Sequence, residues 1–222
     1  MAIELEITEC SSLGDADYAL MAELAESTVG LDIGVLSKHA NDWVLAFRAY
    51  QNGELTGFVL STLERIGGTP SLVLGIGTVS PTPASQSVLS ALMHENFYKA
   101  LMAFPDEDVL VISRINSLGG FDYFADLTDV RPWPEVRLDG EERAWARRLA
   151  KRFGSLDLDD RALTARSDEP CFPLHHDPVG SPRTDRDVGQ LLSTLDSNNG
   201  QYLLAWGWAM VEFLESYQEP HS

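Results

Sequence analysis

Ser71-Leu-Val-Leu-Gly-Ile-Gly-Thr-Val79, then Ser80-Pro-Thr-Pro83, then a helical pattern from Ala84 to Phe104, then Asp108-Val-Leu-Val-Ile-Ser-Arg-Ile-Asn116: this stretch decides the fold. Two apolar runs of strand length flank one long helix, and an aromatic segment with Phe121, Tyr123 and Phe124 follows. Strand, helix, strand, helix is a crossover unit of parallel sheet, and such units take ligands at the carboxyl ends of their strands. A small-molecule site, if the chain has one, is expected there.

Upstream, Ile3, Leu5 and Ile7 alternate with Glu4, Glu6 and Thr8, the period of a half-buried strand. Ser11 to Asp15 supplies caps for a helix through about Ser27, and a weaker helix is expected over Leu31–His39. Trp43–Tyr50 and Leu55–Ile66 read as strands joined at Asn52-Gly53, a tight-hairpin signal because both residues accept positive φ. Gly67-Gly-Thr-Pro70 turns the chain into Leu72–Val79. A three-strand meander therefore precedes the crossover helix.

Downstream, prolines make 129–134 a rigid connector, and Leu138–Phe153 is a basic helix stopped by Gly154. Residues 155–183 read as a long loop with a short strand near Ala162–Arg166. A helix is expected over Asp185–Leu195, and the apolar run Gln201–Met210 fits strand or helix equally. With no internal repeat, one domain is expected: a core at 1–135 and a C-terminal helix, loop and closing elements at 136–222.

Composition narrows the partners. The chain has 222 residues, a hydrophobic content of 44% and a net charge of −18. A negative field repels phosphate backbones and anionic lipid, so neither nucleic acid nor membrane is expected as a partner. No apolar run reaches the length of a spanning helix. The acidic, alternating N-terminus is unlike a signal peptide, so a cytoplasmic setting is expected. Cys10 and Cys171 are too few for a disulfide scaffold or a structural zinc site. His175-His176-Asp177 with Cys171 nearby invites a metal, but adjacent histidines in extended chain point apart, so no metal site is expected. His94-Glu95 reads as a surface pair. Glu64 and Arg65 could face a substrate amine or simply be solvated. Trp206 or Trp208 could mark a homodimer face or belong to the core.

The element order, with Asn116 closing the second apolar run and Tyr123 seven residues later, resembles the GNAT superfamily of N-acetyltransferases. Residues 43–128 carry the resemblance. It implies an α+β fold in α/β/α layers, a mixed and mostly antiparallel twisted sheet flanked by helices, here with a C-terminal extension. It also implies acetyl-CoA or another acyl-CoA as co-substrate, an amine on a small molecule or protein as acceptor, and no metal. Its splayed strand end would leave backbone groups of Ile76, Gly77, Thr78 and Val79 free for an amide-bearing arm. Thr82, Ser85, Gln86 and Ser87 would face the pyrophosphate at a helix start, or equally serve as caps. Asn116 would join them, and Tyr123 would protonate the leaving thiolate, or equally be core.

The family's pyrophosphate loop carries a basic residue and two glycines; Ser80-Pro-Thr-Pro-Ala-Ser-Gln-Ser87 has none of these. Two functions follow as expectations: an acyl-CoA-dependent N-acyltransferase, or a catalytically inactive GNAT-like module for ligand binding or protein interaction.

Overall fold

A computed structural model describes residues 2–134, 136–167, 174–176, 189–196 and 199–217. The chain begins with strand β1 (Glu4–Glu9), then α1 (Asp15–Val29) and α2 (Ile33–Ala40). Asp32 caps α2 by accepting from the N–H groups of Gly34 and Val35, and Gly30 ends α1 in the left-handed region. The meander follows as β2 (Leu45–Gln51), β3 (Glu54–Ile66) and β4 (Thr69–Val79). Asn52 and Gly53 both take positive φ at the first hairpin, as their chemistry allows.

Helix α3 (Ser85–Ala103) crosses over to β5 (Val109–Ile115), whose first half lies parallel to β4. A 3₁₀ helix, Gly119–Phe124, and β6 (Thr128–Arg131) come next. The basic helix is α4 (Gly140–Arg152), with a capping box between Asp139 and Glu142. Then follow β7 (Leu156–Asp159), β8 (Thr164–Arg166), β9 (Leu174–His176), the one-turn α5 (Gly189–Leu192), β10 (Gln201–Ala209) and α6 (Val211–Leu214).

Among the described residues these strands form one sheet in the order β1-β2-β3-β4-β5-β10-β8-β7, with β6 attached to β10 and β9 to β4. Pairing is antiparallel except for β4 with β5 and β4 with β9. The run at 201–210 resolves as strand, because Leu203–Ala209 pair residue by residue with β5. The C-terminal part thus supplies strands to the same sheet as the meander.

Alternation along the strands sends side chains to two cores, giving three layers. Phe47, Val59, Leu72, Val111 and Leu203 pack under α3; Ala46, Phe58, Val73, Ile112 and Trp206 pack under α1, α2 and α4. Trp206 is a core residue, and Trp208 packs partly buried against the same layer.

One irregularity reaches the site. Between Val59 and Ser61 of β3, β4 carries an extra residue, so Leu74 and Ile76 face opposite layers. Gly75 sits at the switch with the Trp43 ring against it: a Cβ there would lie 2.2 Å from the indole.

Three expectations need correction. Glu95 is buried at 2% exposure, so His94-Glu95 is no surface pair; the His94 ring meets Tyr217 edge-on at 4.9 Å. Residues 155–167 hold two strands rather than one, since Leu156 and Asp159 pair with β8. Of the expected helix at 185–195 only the turn Gly189–Leu192 lies among the described residues as helix. Cys171 and Asp177 lie outside the described residues. No helix among those described is long and apolar enough to cross a membrane.

Candidate functional site

Strands β4 and β5 pair as a ladder over Ser71–Val73 against Leu110–Ile112, and just beyond it the Ser113 hydroxyl donates to the Leu74 carbonyl oxygen at 2.8 Å. Beyond Val73 they diverge and open a groove toward their carboxyl ends. The other side of β4 stays sealed, because Gly57–Val59 of β3 pair with Gly77–Val79.

The groove is filled by the chain itself. Leu174, His175 and His176 run parallel to β4 in register with Gly77, Thr78 and Val79. The expectation of free backbone groups on Gly77–Val79 is therefore corrected. Their second edge is taken by β9, a strand from the stretch read as loop. Ile76, just before, turns its side chain into the layer under α1 and α2.

Three glycines make the space. A Cβ on Gly77 would lie 2.9 Å from Leu174 Cδ2, and one on Gly120 would lie 3.0 Å from the Leu174 carbonyl oxygen. A Cβ on Gly119 would lie 1.5 Å from the His176 carbonyl oxygen, which no local adjustment relieves. Absent side chains at Gly77 and at the Gly119-Gly120 pair admit one extended segment.

Side chains then hold that segment at each residue. Leu174 is fully buried in the core cluster that includes Val59 and Phe121. The Tyr123 hydroxyl donates to the His175 carbonyl oxygen at 3.1 Å. His176 Nδ1 lies 3.0 Å from Asp122 Oδ2, with both side chains wholly buried. A carboxylate oxygen accepts, so the hydrogen between the two side chains sits on Nδ1 when Asp122 is ionised. Nε2 is buried and has no hydrogen-bond partner.

The residues singled out by resemblance separate into three groups. Gly77, Thr78, Val79 and Tyr123 meet, but on β9. Burial first, and the Asp122 charge second, hold the Tyr123 hydroxyl far above the usual tyrosine range, so it stays protonated. Asn116 is half-buried and follows the end of β5.

The loop residues bond within the loop and to β3, and Ala84, at the N-cap of α3, makes no side-chain cap. The Ser80 N–H donates to Thr56 O, the Ala84 N–H to Thr82 Oγ1 at 3.3 Å, and the Ser85 N–H to Thr82 O at 2.9 Å. Ser85 is buried. Gln86 and Ser87 instead line a separate cleft of about 590 Å³ on the outer side of α3, with His94, Phe97 and Tyr217.

The other flagged polar residues are paired. Glu64 binds Arg152, Arg65 makes a two-point pair with Glu107, and Arg147 binds Asp160. Arg148 lies over the Trp145 ring at 4.9 Å. Among the described residues no group of three or more His, Cys, Asp or Glu is placed to hold a metal ion.

Sequence reasoning missed β9, Asp122 and His176 as parts of one site. The available signal was Gly119-Gly120 ahead of the aromatic segment, together with Gly77 inside a strand.

No protein-family model matches the chain, and no curated protein matches it. Solved structures do. A GNAT family acetyltransferase from Brucella melitensis, itself in complex with acetyl-CoA, matches at 17% identity and TM-score 0.38, over 55% of this chain and 81% of that one. The ribosomal-protein-S18-alanine N-acetyltransferase of Escherichia coli matches at 12% identity and TM-score 0.38, over 60% and 86%. An N-acetyltransferase from Staphylococcus aureus Mu50 matches at 10% identity and TM-score 0.48, over 96% and 99%. At that distance, the chain is similar to GNAT acetyltransferases.

Proposed function

We propose that this chain is a non-catalytic protein of acyltransferase-like fold, working as an interaction module through the groove between β4 and β5. One observation carries the reading: β9 occupies, in register, the β4 backbone on which an acyl donor would depend. The engaged Tyr123 hydroxyl and the loop at 80–87, without glycine or basic residue, support it. The test is thermal unfolding with and without acetyl-CoA and longer acyl-CoAs, followed by thiol release in the presence of an amine panel. No shift and no thiol are expected. A saturable shift together with thiol release that Tyr123→Phe abolishes would overturn the reading.

A second reading has its own observation. β9 lies extended on β4 with the Tyr123 hydroxyl on its middle carbonyl, which is how an amide-bearing arm would lie. In that reading the chain is an acyl-CoA-dependent N-acyltransferase acting on an amine once β9 leaves. Thiol release by a variant with β9 loosened, and none by the native chain, would support it.

A further inference from the structure

With 34 acidic residues against 16 basic ones, a guanidinium in this chain has carboxylates in excess to pair with. Arg48, Arg131, Arg152 and Arg166, all buried or half-buried, have each taken at least one. Arg48 binds Glu6 and Asp17, Arg131 binds Glu142, Arg152 binds Glu64 and Arg166 binds Asp157. Arg143, also half-buried, donates to the Asp139 carbonyl oxygen. Arg114 has neither kind of partner. It is half-buried on β5, next to the last strand residue Ile115, and among the described residues nothing accepts a hydrogen bond from its side chain.

Aromatic faces hold it instead. The guanidinium carbon lies 5.0 Å from the centre of the Phe153 ring and 5.8 Å from that of Tyr202. Leu204 stands opposite Arg114 across the β5–β10 ladder, and with Ala150, Ala165 and Tyr202 it forms a small buried cluster flanked by Phe153 and Leu158. Ring faces offset part of the charge, but they leave the five N–H donors of the fork without acceptors. Those nitrogens are not sealed in, unlike the Nε of Arg48. The acids close by are engaged elsewhere: Asp157 on β7 with Arg166, and Asp160 just after it with Arg147.

We propose that Arg114 anchors a binding site for a small organic carboxylate, with Phe153 and Leu158 lying against the hydrocarbon part of the ligand. A planar guanidinium matches a carboxylate through two parallel N–H···O bonds. Two ring faces already restrain this fork, so little rotamer freedom is left to lose on binding. A carboxylate is favoured over phosphate, because the field of a chain with net charge −18 opposes a dianion about twice as strongly as a monoanion. The site belongs to the layer of α4 rather than that of α3, so it goes beyond the reading of the β4–β5 groove and does not depend on it.

The probe is benzoate, with acetate and inorganic phosphate beside it, titrated into the isotope-labelled full chain. The Arg114 Nε–H resonance, assigned by its loss in Arg114→Lys, should shift saturably with benzoate in the millimolar range expected of so small a ligand. Acetate should bind more weakly, for want of a ring, and phosphate should leave the resonance in place. Arg114→Lys keeps the charge and loses the fork, so benzoate affinity, followed at the Phe153 and Leu204 amides, should fall about tenfold. Arg114→Met keeps an apolar stem in its place and should abolish the titration.

The native titration stands by itself should either variant not fold. No saturable shift at Arg114 in the native chain overturns the proposal. So does benzoate affinity unchanged in a folded Arg114→Met, or phosphate binding as tight as that of benzoate.

Discussion

Gly119→Ala is the sharpest perturbation of the groove. The added methyl would sit 1.5 Å from the His176 carbonyl oxygen and 2.6 Å from its carbon, and both are backbone atoms that cannot swing aside. Gly119 does not take a positive φ, so alanine suits its backbone and the whole effect comes from the clash. Either the 3₁₀ helix or β9 must move, and the expected outcome is that β9 leaves.

Losing β9 removes the burial of Leu174, about 1.5–3 kcal/mol, and the Asp122 hydrogen bond, about 1.5–3 kcal/mol. Strand bonds of about 0.5–1.5 kcal/mol each go with them. The released backbone regains roughly 1–2 kcal/mol of entropy per residue, which offsets much of this. A net loss of about 2–4 kcal/mol is expected, or roughly 5–15 °C in Tm for a chain of this size.

The assay is thermal and urea unfolding of Gly119→Ala, Leu174→Ala and the pair. Because both act through β9, the double variant should lose clearly less than the sum of the singles. A Tm for Gly119→Ala within about 2 °C of native, or strict additivity, would refute the account of β9 as a seated strand.

Three further outcomes follow. Tyr123 should stay protonated in the native chain until alkaline unfolding, whereas Gly119→Ala should gain a tyrosine absorbance step near the ordinary value of about 10; identical titrations would contradict the burial that β9 provides. Burial pushes the Cys10 thiol up to about 11, above its unfolded value. Its stabilisation is therefore complete below about pH 8.5 and lost as pH rises toward 11, so urea unfolding between pH 8 and 9.5 should show a falling stability that Cys10→Ala flattens; equal slopes would count against it. Gly75→Ala should cost about 1–3 kcal/mol by overpacking against the Trp43 ring, with partial recovery in the Trp43→Phe background; failure of that recovery would mean that the backbone, not the ring, sets the cost.

Much of the fold was legible because its signals are local. The meander followed from Asn52-Gly53 and from alternation, and α3 with its two flanking strands from apolar runs of the right length. β10 was ambiguous for a physical reason: buried on both faces, it shows no period that separates strand from helix. Its pairing with β5 decides, and pairing is non-local.

The site was legible only in halves. Gly77, Thr78, Val79 and Tyr123 were singled out and do meet. What they meet is Leu174–His176, in a stretch rich in Pro and Asp with no readable periodicity. Asp122 and His176 stand 54 positions apart, and nothing in either neighbourhood reports the other. The double glycine at 119–120 records the encounter from one side only.

β10 also sets an order of events for a chain leaving the ribosome. Its partner β5 is made some ninety residues earlier, the distance from Ile115 to Leu203. Until β10 arrives, β5 stands as an open, largely apolar edge next to a finished meander, the kind of surface that recruits another nascent chain. Folding that waits on so distant a contact is slow, because loop closure precedes any gain from pairing. The vulnerable species of this protein is thus the chain made up to about residue 200, and a helper that shields a strand edge would act most usefully just before residue 201 emerges.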